Sequence, residues 1–131
     1  MARVIVVDAS VMIAALDEHD ALYRAAVAAL ARHIGDTLVV PASAFAEFMV
    51  GAHRSGRAEV TRRRLHELDA TIQPITEEMA DAAARLRARH TSLRLADALV
   101  LGTAEVLEAE RILTGDRSWT AWSDRVELIE G

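Results

Sequence analysis

Four acidic residues are the part of this sequence most suited to chemistry: Asp8, Glu47, Asp97 and Asp116. Each lies within or just after an apolar stretch, where an unpaired carboxylate is costly. A buried carboxylate must be paired, protonated or bound to a metal ion. Four such acids brought together repel one another, and a hard divalent cation with oxygen ligands relieves that repulsion. The pattern therefore predicts an Mg²⁺ or Mn²⁺ site and, with it, phosphodiester hydrolysis.

The stretches around these acids predict an α/β fold with a mostly parallel sheet. Short apolar, β-branched runs predict strands, and segments with helical spacing separate them. The predicted order is β-α-α-β-α-α-β-α-α-β-α-β, which is typical of parallel sheets with helical crossovers. The predicted strands cover residues 3–7, 37–40, 71–74, 111–114 and 126–129, and the helices with predicted bounds cover 10–16, 19–34, 41–53, 56–69, 76–89 and 91–109.

These elements give the four acids a common location. Sites in open parallel sheets form beyond the carboxyl ends of the strands. Asp8 and Asp116 fall there, and Glu47 and Asp97 fall in the early turns of helices that pack nearby. The acids are therefore expected to converge although they are far apart in the sequence.

Each acid also has a structural alternative. Asp8 is a plausible helix cap, and Asp116 after Gly115 is a plausible turn residue. Asp97 has Arg94 three residues earlier, which is the spacing of an ion pair on a helix. Glu47 has no Arg within four residues. The occurrence of all four acids in order beside the right strands favours the metal site.

Composition excludes several other functions. The chain has 131 residues, which predicts one domain over 1–131, and its 52% hydrophobic content predicts a packed core. No apolar run reaches the roughly 18 residues that span a membrane, and no secretion signal is apparent. The absence of cysteine excludes disulfides and thiolate metal sites, and a cytoplasmic location is expected. All 15 basic residues are Arg, so a Walker A lysine and Schiff-base chemistry are excluded.

Four segments together resemble the PIN domain, in particular the VapC-type toxin ribonucleases of toxin–antitoxin modules. These segments are 4–10 (VIVVDAS), 41–47 (PASAFAE), 93–98 (LRLADA) and 113–119 (LTGDRSW). The resemblance covers almost the whole chain and implies a three-layer α/β/α fold. It implies that the four acids hold one or two Mg²⁺ or Mn²⁺ ions, with supporting hydroxyls from Ser10 and Thr114. Many members carry another acid where this chain has Ser118, which places the second metal position in question.

The activity implied by the resemblance is metal-assisted hydrolysis of an RNA phosphodiester bond. Asp8 and Asp97 are the expected direct metal ligands. Glu47 is expected to bind metal or orient the attacking water, and Asp116 is expected to act through water molecules, since Mg²⁺ retains several. The implied partners are an RNA substrate, a small cognate antitoxin protein and a second copy of the chain in a homodimer.

The formal net charge of this protein is −5. It therefore needs local positive charge to hold the phosphates of RNA. The candidates for phosphate contact are Arg94 and Arg117 near the acids, and Arg62 and Arg63 on a polar helix. The alternatives are an ion pair with the acids for the first two and a solvated helix face for the others. Trp119 and Trp122 are expected to pack in the protein rather than stack on bases.

Two other functions remain open at this point. The first is a catalytically inactive PIN-like domain that binds RNA or protein, against which the complete set of acids argues. The second is a receiver-like phosphotransfer domain, which also has an Asp after its first strand. Such sites usually need a lysine near the phosphoryl group, and this chain has none.

Overall fold

A five-stranded, entirely parallel sheet forms the centre of the protein. The computed structural model describes residues 2–131. The strands are β1 (Val4–Val7), β2 (Thr37–Pro41), β3 (Thr71–Gln73), β4 (Arg111–Thr114) and β5 (Val126–Leu128), in the spatial order β3-β2-β1-β4-β5. Every neighbouring pair is parallel. The predicted α/β class and the mostly parallel sheet are confirmed.

Helices connect the strands and cover the sheet. They are α1 (Ala9–Ala15), α2 (Tyr23–Arg32), α3 (Ala42–Arg54), α4 (Ala58–Glu67), α5 (Glu77–Arg89) and α6 (Leu95–Val106). The predicted last helix, between β4 and β5, is a short 3₁₀-helix, Arg117–Ala121. Together with the sheet they form the predicted three-layer α/β/α arrangement. No helix within residues 2–131 is long and apolar enough to cross a membrane.

The sheet has its topological switch point between β1 and β4. From β1 the chain moves outward through β2 and β3, then returns to place β4 on the other side of β1. The crossover helices diverge at such a point and leave a crevice beyond the carboxyl ends of the two strands. Asp8 directly follows β1 and Asp116 follows β4, so both acids lie at this crevice.

Two predicted helices, 19–34 and 56–69, are shorter in the structure. Before α2, the side chains of Asp17 and Asp20 accept hydrogen bonds from the backbone N–H groups of His19 and Leu22, which stabilises turns instead of helix. At the two ends of α4, Gly56 and Asp69 have φ angles of +68° and +56°. The left-handed conformation of Gly56 ends α3 just before α4 begins, and that of Asp69 ends α4.

The helix that carries Asp97 also begins later than the sequence predicts. A helix was expected over 91–109, but the N–H of Leu93 bonds to the carbonyl of His90 in a turn, and α6 begins at Leu95. Leu93 is buried and anchors this turn in the core. Farther along, Gly102 allows close packing on α5, since a Cβ there would lie 2.8 Å from the backbone nitrogen of Ala83. The anchored turn and the close packing fix the position of α6.

A cluster around His33 ties α2 to the edge strand β5. The His33 ring lies between two carboxylates, with Nδ1 3.1 Å from Asp36 and Nε2 3.0 Å from Glu127. Arg32 also donates to Glu127, at 2.9 Å. Burial tends to raise the pKa of Glu127, but the hydrogen bonds from Arg32 and His33 outweigh it and lower the pKa below 4.5. Nothing in the sequence spacing indicated this long-range cluster.

Replacing Glu127 with Gln is expected to reduce stability at neutral pH by about 1–2 kcal/mol, because charge-assisted hydrogen bonds to Arg32 and His33 are lost. A carboxylate with a lowered pKa stabilises the fold above its ordinary value and loses that effect as the pH falls through the folded-state pKa. The difference from wild type should therefore shrink as the pH falls below 4.5. Urea unfolding at several pH values measures it, with the exposed Glu67→Gln as control; a constant difference from pH 7 to pH 3 would contradict this account.

Candidate active site

Asp8 is the most enclosed of the four acids. It is only 7% exposed, and it is one of three buried polar residues among residues 2–131. Its Oδ1 accepts a hydrogen bond from the N–H of Ala9 at 2.8 Å, so it is also the cap of α1. Its Oδ2 accepts from the hydroxyls of Ser10 at 2.8 Å and Thr114 at 2.9 Å. The capping role and a ligand role are compatible, because Oδ1 retains an unused lone pair.

The two hydroxyls that hold Asp8 also shape the loop after β4. Ser10 Oγ accepts a hydrogen bond from the N–H of Gly115 at 3.1 Å. Thr114 Oγ1 accepts from the N–H of Asp116 at 3.1 Å. Each hydroxyl therefore donates to Asp8 and accepts from the loop. These two hydrogen bonds fix the orientation of the hydroxyl relative to both the acid and the loop. The network joins two pairs of predicted site residues from distant parts of the sequence, Asp8 with Ser10 and Thr114 with Asp116.

The charge of Asp8 is held at an electrostatic cost. Burial raises the pKa of Asp8 above 3.8, and hydrogen bonds from Ser10, Thr114 and the Ala9 N–H offset only part of that rise. The negative charge of Asp97 raises the pKa further. The carboxylate thus lies in a place where a bound cation would stabilise its charged form.

Glu47 lies on α3, and its exposure differs from what the sequence predicted. Its apolar neighbours suggested an enclosed carboxylate, but the residue is exposed. The apolar side of α3 packs inward through Ala44, Phe48 and Met49, while Glu47 lies on the open side of the helix. Partial desolvation and then the charges of Asp8 and Asp97 raise the pKa of Glu47 above 4.5. Those repulsions place Glu47 within electrostatic reach of both aspartates.

Asp97 lies in the first turn of α6 and is half-buried, with 13% of its side chain exposed. Arg94, the residue that precedes this helix, approaches both of its oxygens: Nε is 3.3 Å from Oδ2 and Nη2 is 3.4 Å from Oδ1. The i,i+3 ion pair considered from the sequence is therefore present. It is held by a largely exposed arginine, whose side chain is 73% accessible.

Asp116 is exposed at the open side of the crevice. Its Oδ1 accepts hydrogen bonds from the N–H of Ser118 at 2.9 Å and from the Ser118 hydroxyl at 2.6 Å. Asp116 thereby caps the 3₁₀-helix, as the turn alternative anticipated. Ser118 thus supports the fourth acid; an Asp-x-Ser spacing is the sequence signal for such a turn, although Ser118 drew notice only as a missing acid.

The set of side chains suits a hard divalent cation. Carboxylate and hydroxyl oxygens are the donors that Mg²⁺ and Mn²⁺ prefer, and the mutual repulsion of Asp8, Glu47 and Asp97 gives a cation an electrostatic advantage. Within residues 2–131, no three His, Asp or Glu side chains already close around a common metal position. Asp8, Glu47 and Asp97 lie within electrostatic reach of one another without forming a closed coordination shell.

The predicted phosphate-binding arginines have different positions. Arg94 faces the acids, whereas Arg117 pairs with Glu130 at 2.8 Å. Arg62 and Arg63 are exposed on α4, and neither forms an ion pair with any residue in the described part of the chain. Trp119 is 1% exposed and packs in the core as predicted, and Trp122 packs its ring against His90 with centroids 4.8 Å apart.

Comparison with protein families decides the family. The PIN domain family model matches residues 5–122, a span that contains all four acids. The chain belongs to the PIN domain family. This membership excludes the alternative that the chain is a receiver-like phosphotransfer domain. No curated protein sequence matches the chain.

Solved structures with a similar fold include chains from several toxin–antitoxin systems. A toxin–antitoxin complex from Klebsiella pneumoniae has a TM-score of 0.81 at 24% identity, covering 95% of this chain and 97% of that chain. VapBC2 from Rickettsia felis, bound to a DNA fragment from its promoter, has a TM-score of 0.76 at 16% identity, with coverages of 97% and 99%. VapC20 from Mycobacterium tuberculosis, a toxin that cleaves the sarcin–ricin loop, has a TM-score of 0.72 at 16% identity, with coverages of 92% and 97%. At these identities the likeness shows a shared fold, in agreement with the PIN domain match.

Proposed function

We propose that this PIN domain is an Mg²⁺- or Mn²⁺-dependent endoribonuclease that acts as the toxin of a toxin–antitoxin module. The observation that carries the proposal is Asp8, a buried carboxylate at the switch point between β1 and β4, held by Ser10 and Thr114 and repelled by Asp97. Family membership and the fold shared with toxin–antitoxin proteins support it.

We assign a role to each acid. Asp8 and Asp97 hold the cation directly, since hydrogen bonds fix Asp8 in place and Asp97 is the half-buried carboxylate whose negative charge acts on it. Glu47, exposed on α3, orients the attacking water or adds a ligand. Asp116 contributes through water from the open side of the crevice. When bound, the cation supplies Lewis-acid activation and stabilises the negative charge that develops at the phosphate.

Two groups of arginines are proposed to hold the RNA. Arg94 faces the acids from the first turn of α6 and is placed to contact the phosphate being cleaved. Arg117 contributes only if it leaves Glu130. Arg62 and Arg63 on α4 offer exposed positive charge for more distant phosphates. A small antitoxin protein, a homodimer and a cytoplasmic location complete the proposal, which treats residues 1–131 as one domain.

Purified protein is expected to cleave RNA in the presence of Mn²⁺ without any added nucleotide. A synthetic sarcin–ricin-loop RNA, chosen because a fold relative cleaves that loop, and total cellular RNA would serve as substrates. Chelation of the metal should lower the rate by roughly 100-fold or more, and excess Mn²⁺ should restore it, because several kcal/mol of charge stabilisation are lost with the cation.

The same assay addresses the inactive PIN-like alternative. RNA binding without cleavage at any Mn²⁺ or Mg²⁺ concentration would favour a binding domain. Cleavage that persists in chelator would contradict the metal-dependent proposal.

A further inference from the structure

Arg94 occupies an unusual place among the cations of this protein. It precedes α6 in an extended conformation, with φ −72° and ψ 149°, so its side chain leaves the helix at the edge of the crevice. Its guanidinium approaches both oxygens of Asp97, at 3.3 and 3.4 Å. Both distances are long for charge-assisted hydrogen bonds, and the side chain is 73% exposed. The contact is therefore a weak, accessible one.

The influence of Arg94 extends beyond Asp97. The hydrogen bond and charge of Asp97, followed by the charges of Glu47 and Asp116, raise the pKa of Arg94. Among residues 2–131, no other Arg or His side-chain nitrogen lies within 4 Å of a carboxylate oxygen of the four acids. Arg117, the nearest other arginine in sequence to Asp116, is engaged by Glu130. Arg94 thus supplies the one guanidinium that pairs with the four acids in the described part of the chain.

We propose that Arg94 is the internal counter-ion of the metal-free acids and competes with the divalent cation for Asp97. This inference rests on the proposed function, since it concerns the same site. A cation that binds Asp97 needs at least one of the oxygens that Arg94 approaches. The guanidinium and the cation are then two positive charges that repel each other at the same carboxylate, and the exposed position of Arg94 at the start of α6 allows its side chain to move away. Arg94 therefore raises the metal concentration that is needed to fill the site.

The competition has a distinctive consequence. Removal of a residue that merely supports the fold would weaken metal binding or leave it unchanged. Removal of a competing counter-ion strengthens metal binding, because the cation no longer shares Asp97 with another positive charge. Since exposed ion pairs are weak and screened by salt, the effect is expected to be modest and greatest at low ionic strength.

The test is Mn²⁺ binding to purified, metal-free protein, measured by electron paramagnetic resonance of the free ion. Arg94→Gln should bind Mn²⁺ about two- to five-fold more tightly than wild type at low salt, and the difference should shrink at high salt. Arg94→Lys keeps the charge but loses the two-pronged contact, so its affinity should fall between the two. Arg111→Gln is the control for net charge, because exposed Arg111 lies at the opposite end of β4 and should leave affinity unchanged.

An Arg94→Gln affinity equal to or weaker than that of wild type would overturn the inference. So would an equal gain in Arg111→Gln, since the effect would then be one of net charge. Asp97→Asn separates this failure from that of the proposed function. If Asp97→Asn loses Mn²⁺ binding while Arg94→Gln shows no gain, the metal site stands and the competition is wrong. If Asp97→Asn binds Mn²⁺ like wild type, the proposed site itself fails, and the inference with it.

Discussion

Asp97→Asn should lower the rate of RNA cleavage by roughly 100-fold or more, because the cation loses a charged ligand while the side chain keeps its shape. The fold should survive. The side chain accepts hydrogen bonds only from Arg94 among residues 2–131, and that arginine is largely exposed. Single-turnover cleavage of a labelled RNA at saturating Mn²⁺ measures the rate, and circular dichroism verifies the fold.

Asp81→Asn is the matched control for this change. Asp81 is also a helical aspartate paired with an arginine, Arg85, at 2.6 Å, but it lies on α5 with an exposed side chain. Its replacement should leave the cleavage rate near that of wild type. Equal rates for wild type and Asp97→Asn would remove Asp97 from the site.

Thr114→Val should lower both stability and activity, although Thr114 is not an acid. Its hydroxyl donates to Asp8 and accepts from the N–H of Asp116 in a fully buried position. Valine has the same shape but leaves both groups without this partner, at a cost of about 1–3 kcal/mol. Loss of a residue that orients a metal ligand typically reduces metal affinity or activity by about 10–100-fold. Urea unfolding and the cleavage assay measure the two effects.

The chain offers a close control for this replacement. Thr103 is also fully buried, but its hydroxyl donates to the carbonyl of Leu99 within α6, which the helix backbone already uses. Thr103→Val should therefore cost little stability and leave cleavage unchanged, and Thr114→Ser should recover most of the activity. If Thr114→Val and Thr103→Val behave alike, the hydroxyl of Thr114 does not organise the site.

The sheet was predictable because its strands carry strong local signals. Short β-branched runs followed by polar residues marked β1 and β4, and the predicted 111–114 strand matches β4. Helix ends were predicted less well, since they depend on single contacts. The turn at Leu93 forms because that side chain reaches the core, and the left-handed residue Asp69 ends α4; neither feature has a clear local signature.

For the candidate site, the sequence indicated which acids lie near one another better than it indicated how exposed each acid is. The switch point between β1 and β4 brings Asp8 and Asp116 together once the strand order is known. Burial differed from the expectation because an apolar neighbourhood in sequence is distributed around a helix in space. Glu47 is exposed for that reason, whereas Asp8, at the end of a strand buried on both faces, is enclosed.

The most direct test of the central claim is anomalous X-ray diffraction from crystals of the protein soaked in Mn²⁺. The proposed site predicts an anomalous peak in the crevice beyond β1 and β4, within ligand distance of Asp8 and Asp97, and its disappearance in Asp97→Asn crystals. A saturating soak that gives no peak there, or a peak bound only by residues elsewhere on the protein, would contradict the assignment of these acids as a metal site.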